Sequence, residues 1–231
     1  KLKIYKFKGA TMRGIGKKDN SNRKKIIELV SKVKSKCIIF NFGQVDLYFS
    51  YYYNRFIKNK KFMMENIVKN YVNFINSLEC ENCNKIVIPV FPTTISDENV
   101  FNTLLVYNIL PKEIIDSIDE KEEKKLSEFK FRYNLYYKFN KLLQKYCKLY
   151  KINFIELDNQ LLDDNKKIKK EFKDTVSNFN IHLLWEPLIP ILVEKLIKCN
   201  IKKKFKINLK NSLDNFYKVK KKNMKFRYKL N

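Results

Sequence analysis

Short runs of strand-forming residues, separated by stretches of helical periodicity, constrain the fold of this chain most strongly. Residues 2–7 alternate apolar and basic side chains, while residues 37–42, 85–90 and 152–157 are the nearly continuous apolar runs typical of strands covered on both faces. Helical spacing follows each run, over residues 21–34, 51–79, 124–150 and 188–198. Looser, polar stretches cover residues 91–119 and 158–174. The order predicts an α/β fold: a three-layer α/β/α sandwich around a mostly parallel, flavodoxin-like sheet of about four strands.

Polar motifs lie directly after the predicted strands. In open parallel sheets the ligand site lies beyond the carboxyl ends of the strands. We therefore predict that the candidate site combines loops from several strands. The segments concerned are Gly9-Ala10-Thr11, Gly43-Gln44-Val45-Asp46, Pro92-Thr93-Thr94 and the loop that carries His182.

His182 is the only histidine of the chain. A single imidazole allows at most one site with a histidine general base, and it excludes a metal cage built from several histidines. If the chain is a hydrolase of the nucleophile–base type, His182 is the base. If it is not, His182 is a polar residue near the core or a capping residue.

The charge is strongly positive, with 49 Lys and Arg against 24 Asp and Glu, a net +25. Residues 201–231 hold eleven lysines and Arg227 against Asp214 alone, so this segment contributes 12 − 1 = +11. We expect one domain over residues 1–200 and a basic C-terminal extension over residues 201–231 that contacts polyanions such as nucleic acid. The alternative is that lysine is only the default surface residue, because the composition is typical of an A/T-rich genome such as that of a giant virus or a protozoan.

The five cysteines form no dense framework, which favours reduced thiols and an intracellular place, in the cytoplasm or with a virion or virus factory. Cys80-Glu81-Asn82-Cys83 is half of a zinc motif, but without a second pair we interpret both as ordinary thiols. No nucleotide-binding fingerprint, phosphate loop, metal motif or run of 18 apolar residues occurs. We predict no cofactor, no metal and no transmembrane segment. Because the sequence starts at Lys1, it does not decide whether a leader has been removed, and it does not decide the oligomeric state.

Several segments together resemble the SGNH (GDSL-like) hydrolases. Residues 7–14, with Gly9-Ala10-Thr11, resemble the first block, which presents the nucleophile after the first strand. Residues 40–46, with Phe42-Gly43-Gln44-Val45-Asp46, resemble the third block. Arg132, Phe139-Asn140 and residues 154–157 resemble the late helix and last strand, and His182 falls where the last block places the catalytic histidine. The resemblance covers roughly residues 1–200.

The resemblance implies acyl transfer, in which a hydroxyl attacks an ester carbonyl and histidine takes the proton. It implies Thr11 as nucleophile, His182 as base, and Gln44 as a side-chain donor to the oxyanion. Gly14 and Gly43 would allow close backbone approach, Asp46 would orient a neighbouring group, and Arg13 would hold an anionic part of the substrate. Removal of acyl groups from glycans is the implied activity.

Departures from the family pattern keep other interpretations open. Thr11 replaces serine, Val45 replaces a donor asparagine, and Phe179 stands where an aspartate usually fixes the imidazole. Thr11 and Asp46 can equally be helix caps, and Arg13 a solvated surface residue. Enzymatic activity is therefore left open, beside a catalytically degenerate SGNH-fold binding protein and a polyanion-binding protein. The aromatic residues 49 and 51–53 are expected to pack in the core, with stacking on sugars or bases as the alternative.

Overall fold

A computed structural model describes residues 5–32, 37–81, 83–173, 179–199, 210, 211 and 214. These residues form a mixed α/β structure with a small parallel sheet. The chain divides into two compact units, Lys1–Leu183 and Leu184–Asn231. All strands and the loop that carries His182 belong to the first unit. The predicted basic arm at 201–231 lies outside the described residues except at 210, 211 and 214.

Three strands form the sheet in the described part of the chain: β1 (Cys37–Phe40), β2 (Asn84–Val87) and β3 (Asn153–Phe154). Their order is β1-β2-β3, and both pairs are parallel. Val87 lies opposite Phe40 on one side and opposite Phe154 on the other. The predictions of three buried strands are confirmed in position, although each strand is shorter than its apolar run. The strand predicted at 2–7 falls partly outside the described residues, and residues 5–7 are not in a strand.

The other described elements of the first unit are helical. They are α1 (Met12–Ile15), α2 (Ser21–Lys32), α3 (Tyr51–Phe56), α4 (Met64–Ser77), α5 (Val100–Val106), α6 (Lys112–Asp116), α7 (Glu120–Ser127), α8 (Phe129–Leu149) and α9 (Asp158–Leu161). A π-helical turn, Asp46–Ser50, runs into α3, and short 3₁₀ turns occupy Asp97–Asn99 and Lys170–Phe172. In the second unit, α10 (Trp185–Lys198) continues through Pro190.

Two predicted long helices are each divided in two. The helix predicted over residues 51–79 is interrupted between α3 and α4, where Asn59 has a positive φ of 47°. The helix predicted over 124–150 is interrupted at Glu128, whose ψ of 134° is extended. The stretch 91–119, predicted to be loose, contains α5 and α6. Pro111 is the N-cap of α6, where its missing amide removes no intrahelical hydrogen bond, so it does not interrupt a helix.

Packing of α8 fixes the chain that leaves β2. Helix α8 packs against α4 and β3, and its Asn140 is buried. The Asn140 side chain accepts a hydrogen bond from the Val90 amide and donates one to the Val90 carbonyl, both at 2.9 Å. These bonds satisfy a buried stretch of backbone beyond the end of the ladder. The loop at residues 91–94 therefore leaves the sheet from a fixed point.

The interpretation of the Cys80–Cys83 motif as ordinary thiols differs from the structure, which joins the two residues in a disulfide. The short connection between α4 and β2 brings their Cα atoms to 5.6 Å, within the usual range for a bridge. Cys147, by contrast, is a buried thiol of α8, and burial raises its pKa to about 12.

Candidate functional site

Asp46 joins the turn after β1 to the start of α1. Its carboxylate is fully buried and accepts hydrogen bonds from the backbone amides of Met12, at 2.6 Å, and Arg13, at 3.0 Å. These amides belong to the first turn of α1, where no intrahelical acceptor is available. The prediction that Asp46 orients a neighbouring group therefore takes a definite form: the group is the backbone that follows Thr11.

Thr11 is the N-cap of α1. Its backbone is extended (φ −123°, ψ 155°), and its Oγ1 accepts a hydrogen bond of 2.9 Å from the Gly14 amide. The capping interpretation is therefore confirmed. A hydroxyl has a second lone pair and a proton of its own, so capping leaves both available to another partner. The Gly14 amide also stabilises negative charge that develops on Oγ1 when this proton is removed.

Gly14 leaves room beside the Thr11 hydroxyl. A Cβ atom on Gly14 would stand 3.0 Å from Thr11 Oγ1 and 3.1 Å from Asn20 Nδ2. Both polar atoms therefore border the same small space. Asn20 also caps α2, since its Oδ1 accepts from the Arg23 amide at 3.1 Å. Asn20 was not among the predicted site residues, although an asparagine directly before a helical segment is a recognisable N-cap signal.

Gly43 is required where the turn after β1 meets α1. Its φ is +110°, and a Cβ atom there would stand 2.6 Å from Val90 Cγ2 and 2.7 Å from Met12 Cε. Only a residue without a side chain combines this φ with this contact. The side chains of Val90 and Met12 occupy the space beside the Gly43 Cα, and the approach of a substrate to this backbone stays a prediction.

Side chains from two strand-end loops hold the segment that carries His182. The Gln44 amide donates to the Ile181 carbonyl at 2.6 Å, and the Thr94 hydroxyl donates to the Asn180 carbonyl at 2.6 Å. The His182 backbone amide in turn donates to Asn180 Oδ1 at 2.9 Å. The backbone directly before His182 is therefore held by hydrogen bonds from the loops that follow β1 and β2.

The His182 imidazole is exposed to solvent, yet the surrounding protein removes enough water to lower its pKa below the ordinary 6.5. At neutral pH the ring is uncharged, and one of its nitrogens can accept a proton. This is the protonation state that a general base requires.

Two charged side chains, Arg13 and Asp46, lie close to α1. Arg13 is exposed, and its guanidinium donates to Asn54 Oδ1 at 2.7 Å, which holds the cation against α3. Burial raises the pKa of Asp46 to about 6, although the amides of Arg13 and Met12 act in the opposite direction.

The Tyr71 hydroxyl is fully buried and has no hydrogen-bond partner in the described part of the chain. Burial, and to a smaller extent Cys147 and Asp46, raises the pKa of Tyr71 well above its ordinary value.

The structure thus brings most of the predicted residues into two linked clusters. Thr11, Gly14 and Asp46 are joined through the first turn of α1, and Gln44 is joined to the residue before His182. Within the described residues, no group of three His, Cys, Asp or Glu side chains is placed to hold a metal ion. In the same part of the chain, no helix has the length and apolar character needed to cross a bilayer. No protein-family model, curated protein or solved structure matches the chain.

Proposed function

We propose that the chain is an SGNH-like esterase that removes acyl groups from O-acylated glycans, within a three-layer α/β/α sandwich of the SGNH kind. One observation carries the proposal. Asp46 supports the turn that presents Thr11, while Gln44, two residues before it, holds the backbone next to His182. One four-residue turn after β1 thus bonds to the backbone that follows Thr11 and to the backbone that precedes His182, which supports a joint role of the two residues.

In the proposed reaction, the neutral His182 imidazole takes the Thr11 proton as Oγ1 attacks the ester carbonyl. The bond to the sugar oxygen breaks, and the imidazolium returns the proton to that leaving oxygen. Water, deprotonated by the same imidazole, then attacks the acyl-threonine; the bond between the acyl carbon and Oγ1 breaks, and the imidazolium returns the proton to Oγ1. The Gly14 amide stabilises charge on Oγ1 during attack and release.

The donor to the oxyanion is the point on which the proposal departs from the family pattern. One N–H of the Gln44 amide is directed at the Ile181 carbonyl, and Val45 offers no side-chain donor. Asn20 Nδ2 borders the same space as Thr11 Oγ1, so we assign this role to Asn20. The fixed Arg13 guanidinium favours glycans that carry a carboxylate or a phosphate beside the ester.

Substitution of Thr11 separates capping from nucleophilic attack. Serine is as good an N-cap as threonine, and it lacks the methyl that hinders attack. Thr11→Ser should therefore keep the thermal stability of the chain and raise the rate of hydrolysis of p-nitrophenyl acetate, whereas Thr11→Ala should abolish it. Trapping with a fluorophosphonate should add one label, and peptide mapping should locate it on Thr11.

His182→Ala should abolish turnover as well, because no other histidine in the chain can replace the base. Added imidazole should restore part of the turnover. A matched control is Thr94→Ser, which keeps the hydroxyl that holds the Asn180 carbonyl and should leave the rate unchanged. Equal rates in the wild type, Thr11→Ala and His182→Ala would contradict the proposal and favour a degenerate SGNH-fold binding protein.

A further inference from the structure

Helix α8 carries an unusual charge distribution. Over Phe129–Leu149 it contains five lysines and Arg132 but no aspartate or glutamate. Arg132 is buried and bonds to Ile95, Ser127 and Asp97, so it does not contribute to the surface. Lys130, Lys138 and Lys141 are exposed. The outer face of α8 is therefore purely cationic.

Three aromatic rings run along the helix beside these lysines. Phe129, Tyr133 and Tyr137 are four residues apart, and their ring centroids are separated by 5.9 and 6.2 Å with interplanar angles of 30° and 26°. Tyr137 is 43% exposed, and the other two rings are half-buried. The Lys141 ammonium lies 5.4 Å from the Tyr137 centroid. We call Phe129, Tyr133, Tyr137, Lys130, Lys138 and Lys141 the α8 stripe.

Within the described residues, no ion pair joins Lys130, Lys138 or Lys141 to a carboxylate. Asp158 accepts from the Tyr136 hydroxyl and, after burial, contributes to the raised pKa of Tyr133, and Glu156 accepts from Gln144. Glu65 accepts from Lys145 and, at 2.8 Å, from the Tyr146 hydroxyl, toward the far end of α8. The positive charge of the α8 stripe is therefore free to meet an external anion.

We propose that the α8 stripe binds single-stranded nucleic acid, with bases against the rings and phosphates on the lysines. Flat π-faces alternating with cations match a polymer of bases and phosphates, and stacking of this kind tolerates any sequence. The ring spacing of about 6 Å follows from the helical rise over four residues. It exceeds the ~3.4 Å step of a duplex strand, so it favours an extended strand with unstacked bases. An anionic glycan satisfies the lysines but presents no π-face.

The test uses the full chain and a fluorescently labelled twelve-nucleotide oligothymidylate, followed by anisotropy. The comparison probe is an abasic strand of the same length, which keeps the phosphates and lacks the bases. Tyr137→Leu should weaken binding of oligothymidylate at least about fivefold and leave binding of the abasic strand unchanged. The control is Tyr53→Leu, since Tyr53 is also an exposed tyrosine, with Lys58 5.7 Å from its ring centre. It should affect neither probe.

Charge is tested separately with Lys141→Gln. Loss of one phosphate contact should reduce the slope of log affinity against log salt by about 0.7. Lys112→Gln, which removes a lysine already paired with Asp116, should leave the slope unchanged. The proposal is overturned if both probes bind equally well, if Tyr137→Leu binds like the wild type, or if a duplex or heparin competes better than the single strand. Those results would show that the chain binds polyanions through charge alone and not through stacking on the rings of the stripe. Hydrolysis of esters should be the same in Tyr137→Leu and the wild type.

Discussion

Asp46 offers the sharpest test of the site, because its carboxylate is buried and yet supports α1. Replacement by asparagine keeps the size and one acceptor for the amides of Met12 and Arg13 but removes the titration. The difference in free energy of unfolding between the wild type and Asp46→Asn should therefore change with pH. The direction follows from the pKa of Asp46, which rises from 3.8 to about 6 on folding.

A carboxyl whose pKa is raised in the folded state binds its proton more tightly there than in the unfolded chain. The stabilisation is therefore complete below pH 3.8 and is lost as the pH rises through about 6. The full difference is about 3 kcal/mol, since each unit of pKa corresponds to ~1.36 kcal/mol. Between pH 4.5 and 7.5, the free energy of unfolding of the wild type should fall by about 2 kcal/mol relative to Asp46→Asn.

Urea unfolding followed by circular dichroism at both pH values gives this difference directly, because urea is uncharged and the linear extrapolation applies at each pH. The exposed carboxylates with lowered pKa, Glu28, Glu65 and Glu98, are present in both proteins and cancel in the comparison. A difference between the two proteins that does not change with pH would refute the reasoning. In that case the amides of Met12 and Arg13 would outweigh burial, and Asp46 would be ionised throughout.

Three further predictions concern the frame of the site and its base. Gly43→Ala should reduce the free energy of unfolding by about 2–4 kcal/mol, since it combines a positive φ with contacts to Val90 and Met12. Gly9→Ala is the control, because its φ is also positive (+68°) but no atom lies within 4 Å, so an equal loss in both would show that crowding has no effect. Asn140→Leu should cost about 2–4 kcal/mol in urea unfolding, because the buried Val90 amide and carbonyl both lose their partner; a loss below 1 kcal/mol would contradict that account. Finally, kcat/KM for ester hydrolysis should rise with pH through a midpoint below 6.5, as the desolvated His182 loses its proton, and a midpoint above 7 would exclude this residue as the base.

The strands could be predicted because their signal is local. The apolar runs at 37–42, 85–90 and 152–157 each overlap an observed strand, and helical spacing between them correctly indicated parallel pairing. Helix ends were less predictable. The interruptions at Asn59 and Glu128 depend on single backbone angles, and the side chains on either side continue the same apolar spacing.

At the site, position could be predicted but roles could not. The sequence places Asp46 and Gln44 after a strand, yet their partners are set by hydrogen bonds to Met12 and to Ile181, 137 residues further along the chain. Thr11 is an exception, because its bond to the Gly14 amide spans three residues and capping is a local signal. The aromatic residues show the same contrast. Phe49 and Tyr52 are buried as expected, but Tyr51 is half-buried and Tyr53 is exposed, so the expectation of core packing is wrong for Tyr53. On α8, the rings of Phe129, Tyr133 and Tyr137 gave no distinct pattern, since they continue the helical spacing of the core.

The hydrogen bonds that hold the backbone before His182 explain why no single motif is informative about this site without the others. The hydrogen bonds from Gln44 and Thr94 act on the backbone carbonyls of the two residues before it. Every residue type offers a backbone carbonyl, so the sequence around His182 can change while the backbone at this position stays in place. The demands fall instead on the residues that donate, at the ends of β1 and β2, and on Gly43, which allows no side chain. The order of strand-end motifs along the chain therefore carries more information about this site than the residues adjacent to the histidine.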